Sequence, residues 1–183
     1  MKYFLILLSL FVFSLGSAQA VKSKTEPSSI FDRKHELKLG AIKMLSSVIF
    51  ETSYERVLSS NSGYGVSLLI NMNQSNEYLE NYSLTPFYRM YFQTYEDYGA
   101  KGFFVEGFTS VFAGKNYDTY DTNTGMYEEE NFVDASIGLA LGKKWINTAG
   151  FVFEIKAGAG RNLFGASEFQ ALFKGDFYIG YRF

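Results

Sequence analysis

The chain carries one histidine, His35, and no cysteine, so imidazole chemistry has a single origin and thiolate chemistry none. A serine–histidine hydrolase needs its imidazole against a serine and oriented by a carboxylate. His35 instead lies between Lys34 and Glu36 at the start of an alternating segment, and reads as an exposed residue at a strand end. Glu51 and Glu55 stand on one face of an extended segment, and two close carboxylates can share acid–base work. With Arg89 available on the same kind of face, charge pairing is the simpler reading. Asp118, Asp121 and the run Glu128-Glu129-Glu130 could draw a divalent cation weakly, but they lack the dense spacing of a preformed calcium loop. Gly158-Ala159-Gly160-Arg161-Asn162 would cradle a phosphate only if a helix followed; Phe164-Gly165 supplies none, so it reads as a turn. The residues therefore predict no catalytic group, no metal site and no cofactor, and a protein that is not an enzyme.

The elements that hold these residues are strands. Phe183, Tyr181, Ile179 and Phe177 share one face of the last segment, and Arg182, Gly180, Tyr178 and Asp176 share the other. The same two-residue period runs through seven earlier segments, about 35–42, 48–57, 63–72, 82–93, 102–113, 132–142 and 150–160. The sixth is the cleanest, with Val133, Ala135, Ile137, Leu139 and Leu141 against Asp134, Ser136, Gly138, Ala140 and Gly142. In the fifth both faces carry aromatics, and Glu106 decides the phase. Eight strands joined in sequence, with no helix after the first twenty residues, predict an all-β, eight-stranded antiparallel up-and-down transmembrane barrel.

The chain's front predicts its compartment. Lys2 precedes an apolar run, Tyr3–Leu15, and Ser17-Ala18-Gln19-Ala20 offers the small-residue pattern of a signal-peptidase site. The run is shorter than the ~20 residues a spanning helix needs. Residues 1–20 thus read as a signal peptide, 21–33 as a flexible periplasmic leader, and 34–183 as the barrel. There are 17 basic residues, one of them Lys2, against 19 acidic, a balance that gives no electrostatic case for nucleic acid. With 14 Tyr and 19 Phe against 2 Pro, the composition favours strands. Mean hydropathy is slightly negative, as expected where only alternate residues meet lipid.

The period places Glu51, Glu55, Arg89, Glu106, Asp134, Glu154, Lys156 and Arg182 on one face, which predicts a charge network inside the lumen. Tyr54, Tyr64, Phe92, Trp145, Tyr181 and Phe183 suit an interfacial girdle. The inner-face Gly and Ala of the sixth segment, with Gly158 and Gly160, either offset large neighbours such as Tyr91, Phe104 and Phe108 or leave a narrow water path or cavity. Connection lengths predict external loops at 43–47, 73–81, 114–131 and 161–171, the third of them solvated and mobile. Periplasmic turns fall at 58–62, 94–101 and 143–149.

Leu37-Lys38-Leu39, Ser53-Tyr54-Glu55-Arg56 closing the second segment and Pro86-Phe87-Tyr88-Arg89-Met90-Tyr91 in the fourth resemble a family of small Gram-negative outer-membrane barrels, a domain of unknown function with OmpA/OmpX-like architecture. The resemblance implies a fold and a membrane, and no reaction. The terminal Phe183 then implies recognition by the barrel-assembly machinery, and the apolar stripe implies outer-membrane lipid as partner. The expected function is a non-enzymatic outer-membrane protein with a closed, charge-paired lumen, acting through extracellular loops of unknown ligand or through envelope support. The alternatives are a small pore or solute-binding barrel, a lipid A-modifying barrel enzyme, and a soluble calycin-like barrel exported to the periplasm with its faces inverted.

Overall fold

A computed structural model describes residues 30, 32–73, 78–92, 99–121 and 126–183, and side chains throughout these except 117–129. The segment expected to be a signal peptide and most of the expected leader lie outside the described residues. Eight antiparallel strands form a closed barrel in chain order. They are β1 (His35–Gly40), β2 (Ile49–Ser59), β3 (Ser62–Asn71), β4 (Tyr82–Tyr91), β5 (Gly102–Asp121), β6 (Met126–Ile146), β7 (Phe151–Asn162) and β8 (Ala171–Arg182). Closure comes from β1 pairing with β8, where Glu36 faces Arg182 and Gly40 faces Tyr178. The Phe183 amide donates to the His35 carbonyl and the His35 amide to the Phe183 carbonyl, so the two ends of the barrel close one rim together.

The register also fixes the tilt. Lys38 pairs with Ser53, Ser53 with Ser67, and Ser67 with Thr85. Thr85 faces Ser110, which pairs with Ser136, and Ser136 pairs with Asn162. Asn162 meets Gln170, ten residues before Gly180, the partner of Lys38 across the closing seam. A stagger of that size in eight strands corresponds to a strand tilt of roughly 40°, and leaves an interior that side chains fill.

Side chains alternate as the two-residue period requires. Along β4, Ser83, Thr85, Phe87, Arg89 and Tyr91 are buried and the residues between them exposed. Outward, Leu139 and Leu141 are each 65% exposed while Arg89, Glu55 and Glu106 inside are 0% exposed. The interior is thus ionic and aromatic, and the exterior apolar, with aliphatic and aromatic side chains.

Several sequence expectations are corrected. The connection between β1 and β2 is a short helix, α1 (Ile42–Ser47), closed by Val48 at φ 57°, whose amide donates to the Lys43 carbonyl. Its Ile42, Met44 and Leu45 are exposed and continue the apolar outer surface above the six-residue β1. Residues 114–131 are mostly ladder, with Gly114 paired to Phe132 and Asp121 to Met126, because backbone pairing between Tyr- and Thr-rich strands needs no burial. At the leader's end Ile30 is buried, and Arg33 donates to the Ala149 carbonyl and the Tyr181 hydroxyl. Among the described residues no helix is long and apolar enough to cross a membrane.

The inner glycines resolve as steric partners of large rings. A Cβ at Gly138 would lie 2.5 Å from Phe108 Cζ and 2.5 Å from the Gly160 Cα, whereas at Gly107, on the outer face, the nearest atom is 3.9 Å away. Gly138→Ala is expected to destabilise the barrel by about 1–3 kcal/mol through overpacking. Gly107→Ala is expected to stay within about 0.5 kcal/mol of the parent. Urea unfolding of protein refolded in detergent micelles measures both, and equal tolerance would contradict the packing described.

Candidate functional site: an ion-paired lumen

Arg89 projects inward from β4 and meets three glutamates from three other strands. Its Nε donates to Glu106 on β5 at 2.5 Å, its Nη1 to Glu55 on β2 at 2.8 Å, and Nη1 and Nη2 both to Glu154 on β7 at 2.7 and 2.8 Å. The guanidinium lies between the rings of Phe87 and Phe104, with centroids 4.6 and 4.3 Å away. A planar donor fork with five N–H groups lets one side chain serve three carboxylates at once with fixed geometry.

Lys38 and Lys144 share Glu55 Oε2 with Arg89, Lys38 also shares Glu154 Oε2, and Lys156 takes the second oxygen of Glu106. Lys38 Nζ donates to Glu55 and Glu154 at 2.8 and 2.7 Å, Lys144 Nζ to Glu36 and Glu55 at 2.7 and 2.9 Å, and Lys156 Nζ to Glu106 at 3.0 Å. The Tyr91 hydroxyl donates to the other Glu55 oxygen. Arg182 binds Glu36 through Nε and ties the β4–β5 turn to the lumen through the carbonyls of Gly99 and Ala100.

A smaller cluster lies toward the far rim, the one without the chain ends. Lys43 and the Tyr178 hydroxyl both donate to Glu51, at 2.7 and 2.8 Å, and Lys174 donates to Glu80 and Ser83. Burial lowers the Lys43 pKa, but the Glu51 and Glu80 carboxylates outweigh it and hold the ammonium above the ordinary lysine range. Burial and then Glu80 push the Tyr78 phenol up to about 12.

Hydrophobic clusters flank the ions. Val57, Tyr91, Ala100 and Phe104 pack at the terminal rim, Phe87, Phe108 and Ala140 along the wall, and Phe112, Phe132 and Leu172 at the far rim. Leu79 and Ala166 cover the last cluster. A spiral of small polar groups lines the wall between them. Thr85 and Ser110 bond each other at 2.8 Å, while the hydroxyls of Ser53, Ser67 and Ser136 have no partner among the described residues.

Of the eight residues expected in the lumen, Glu55, Arg89, Glu106, Glu154 and Lys156 form one connected network. Arg182 joins it through Glu36 and Lys144, and Glu51 belongs to the far-rim cluster. Asp134 stands apart. Its carboxylate accepts from the amides of Ala135, Phe164, Ala166 and Ser167, so it staples the β7–β8 connection and pairs with no cation among the described residues. The physical reason is position: Asp134 lies at the far rim, where loop amides need an acceptor.

Glu36 and Lys38 also lie in the lumen; they share β1's inward phase, and alternation alone points to them. Lys174 likewise shares β8's inward phase, whereas Lys144 sits where β6 extends beyond its expected end. Lys43 and Glu80 come from connections that carry no periodic signal. His35 faces outward at the terminal rim, half-buried, its Nδ1 2.6 Å from the Tyr54 hydroxyl and its ring stacked on Phe183. Phe183 itself is exposed. The side chains of Asp118, Asp121, Glu128 and Glu129 lie outside the described residues, so cation binding there has no structural reading.

Every Glu55 oxygen and every Glu51 oxygen is engaged by a base or a hydroxyl, which makes these carboxylates structural counter-ions. The class defined is an up-and-down antiparallel β-barrel whose interior is closed by ion pairs. No protein-family model, curated protein or solved structure matches the chain.

Arg89→Met leaves Glu55, Glu106 and Glu154 short of a shared cation, and is expected to destabilise the fold by about 3–5 kcal/mol. Asp134→Asn, which keeps an acceptor for the loop amides, is expected to cost at most about 1 kcal/mol. Denaturant titrations of the two variants should rank them so.

Proposed function

We propose that this protein is an integral outer-membrane β-barrel with a closed, charge-paired lumen, non-enzymatic, acting through its far-rim connections or by supporting the envelope. The observation that carries the proposal is the inversion of polarity, with ion pairs inside and Leu139, Leu141, Val133 and Phe173 exposed outside. An exported calycin-like barrel would need the reverse arrangement, since apolar surface of this extent is unstable against water.

Further features support the reading. On the described outward wall the charged side chains are Arg56, Lys115, Lys143 and Arg161, all basic and all toward the rims. Arginine or lysine at mid-depth would cost roughly 2–4 kcal/mol. Aromatics frame both rims, with Tyr64, Phe92, Trp145 and Tyr181 at one and Tyr82, Phe164 and Phe169 at the other. β1, at six residues, falls short of the ~9–11 that a tilted strand needs to span. The exposed Ile42, Met44 and Leu45 of α1 make up the apolar height.

In this reading residues 1–20 direct export, the terminal rim faces the periplasm, and Phe183 presents the closing strand to the barrel-assembly machinery. Outer-membrane lipid is the solvent of the outer wall. The apolar clusters at the two rims and the ion pairs between them favour a closed interior over the pore alternative.

Two measurements test the proposal. Ile137→Arg is expected to lower stability in phosphatidylcholine vesicles by about 2–4 kcal/mol, whereas Ser53→Ala inside is expected to change it by less than about 0.5 kcal/mol. Equal tolerance would overturn the membrane assignment. Refolded protein in planar bilayers is expected to give no steady conductance, and open channels would favour the pore.

A further inference from the structure

We propose that the outer wall across β5, β6 and β7 holds an anionic phospholipid, with Lys143 as the headgroup ligand and an apolar groove beside it as the acyl-chain seat. The inference rests on the membrane reading above and deepens it by naming a lipid class and a site.

Lys143 points outward from β6, opposite Phe103 on one side and Ile155 on the other. The next residue, Lys144, points inward and is neutralised by Glu36 and Glu55. The Lys143 side chain has no ion pair and no hydrogen bond among the described residues. Its Nζ stands 4.6 Å from the centroid of the Phe103 ring and 5.2 Å from that of Trp145. An ammonium on an apolar wall must find water or an anion, and two aromatic faces here hold it in place. No acidic side chain of the described outward wall competes for it.

The groove has a volume of about 440 Å³ and is bordered by Phe92, Phe103, Leu141, Ile155 and Ala157 as well as Lys143, within the size range of ligand pockets. Its open side follows from the register. Ala157 lies between Leu141 on β6 and Gly175 on β8, and Ala159 between Leu139 and Phe173. The middle of β7 is therefore a shallow trough between the Leu139–Leu141 ridge and Phe173, running along the wall from the lysine. Lys143 lies one outward position, about 7 Å of strand, deeper than Trp145, so its stem can turn back toward the headgroup level. A cation at the interface end of an apolar trough matches the layout of one lipid molecule, with phosphate at the rim and chain along the wall. Charge complementarity selects an anionic headgroup.

Trp145 is the only tryptophan in the chain and adjoins Lys143, so it reports directly on the site. The mature chain, residues 21–183, is refolded into phosphatidylcholine vesicles doped with a small fraction of bromine-labelled phosphatidylglycerol or, separately, bromine-labelled phosphatidylcholine. One lysine near an anionic lipid is worth about 1 kcal/mol, a local enrichment of about fivefold. Brominated phosphatidylglycerol is accordingly expected to quench Trp145 more strongly than brominated phosphatidylcholine. Lys143→Gln should remove the excess and Lys143→Arg should keep it, with quenching by brominated phosphatidylcholine unchanged in both. Equal quenching by the two lipids in the parent, or an excess that survives Lys143→Gln, would overturn the site while leaving the membrane reading intact. Quenching by neither lipid would overturn the membrane reading and the site with it.

Discussion

A closed sheet leaves little room for water in its interior, so each charge inside must be answered by another side chain or by backbone amides. Arg89 answers three at once. Its partners Glu55, Glu106 and Glu154 come from strands on different sides of the barrel, so the guanidinium ties the wall together across its diameter. Buried ion pairs are a weak source of net stability, because desolvation offsets much of the attraction. Their stronger effect here is on register. A one-residue slip in any of the four strands would turn the glutamate or arginine out of the lumen and leave its partners uncompensated.

The remaining interior is organised around that constraint. Seven bases, Lys38, Lys43, Arg89, Lys144, Lys156, Lys174 and Arg182, meet six glutamates. Asp176, held by the amides of Ile42 and Lys43, and Asp134, held by amides of the β7–β8 connection, add two carboxylates that backbone groups serve. Aromatic rings seal both ends of this column, and they fit because the strands opposite carry glycine or alanine where the rings lie. Phe108 rests over Gly138 and Gly160, and Phe104 over Gly142. Small residues in β6 and β7 are therefore the complement of large ones in β5, which favours the steric account of those glycines over a water path.

The outer surface follows a separate logic. Its bases sit only toward the rims, its aliphatic residues occupy the middle, and α1 supplies apolar height where β1 is short. If acyl chains surround the barrel, one continuous apolar belt results, broken by the groove beside Lys143. The far-rim extension of β5 and β6 lies beyond that belt and continues the backbone ladder to the Asp121–Met126 pair.

The alternation of two residue types was enough to reveal the strands, their phase and the inward position of Glu55, Arg89, Glu106 and Glu154, because a strand's faces are set by local geometry. Strand ends were less legible. The 114–131 segment has the polarity of a loop, and only its partner across the hairpin makes it a ladder. The α1 helix was invisible for a related reason: so short a helix does not display a period. Sequence by itself determined that this is an eight-stranded barrel with one charged and one apolar face. Tertiary structure alone decided which charges meet, that Asp134 serves loop amides, and that Lys43 and Glu80 reach into the lumen. Those outcomes depend on the stagger with which the sheet closes, and stagger is a property of all eight strands together.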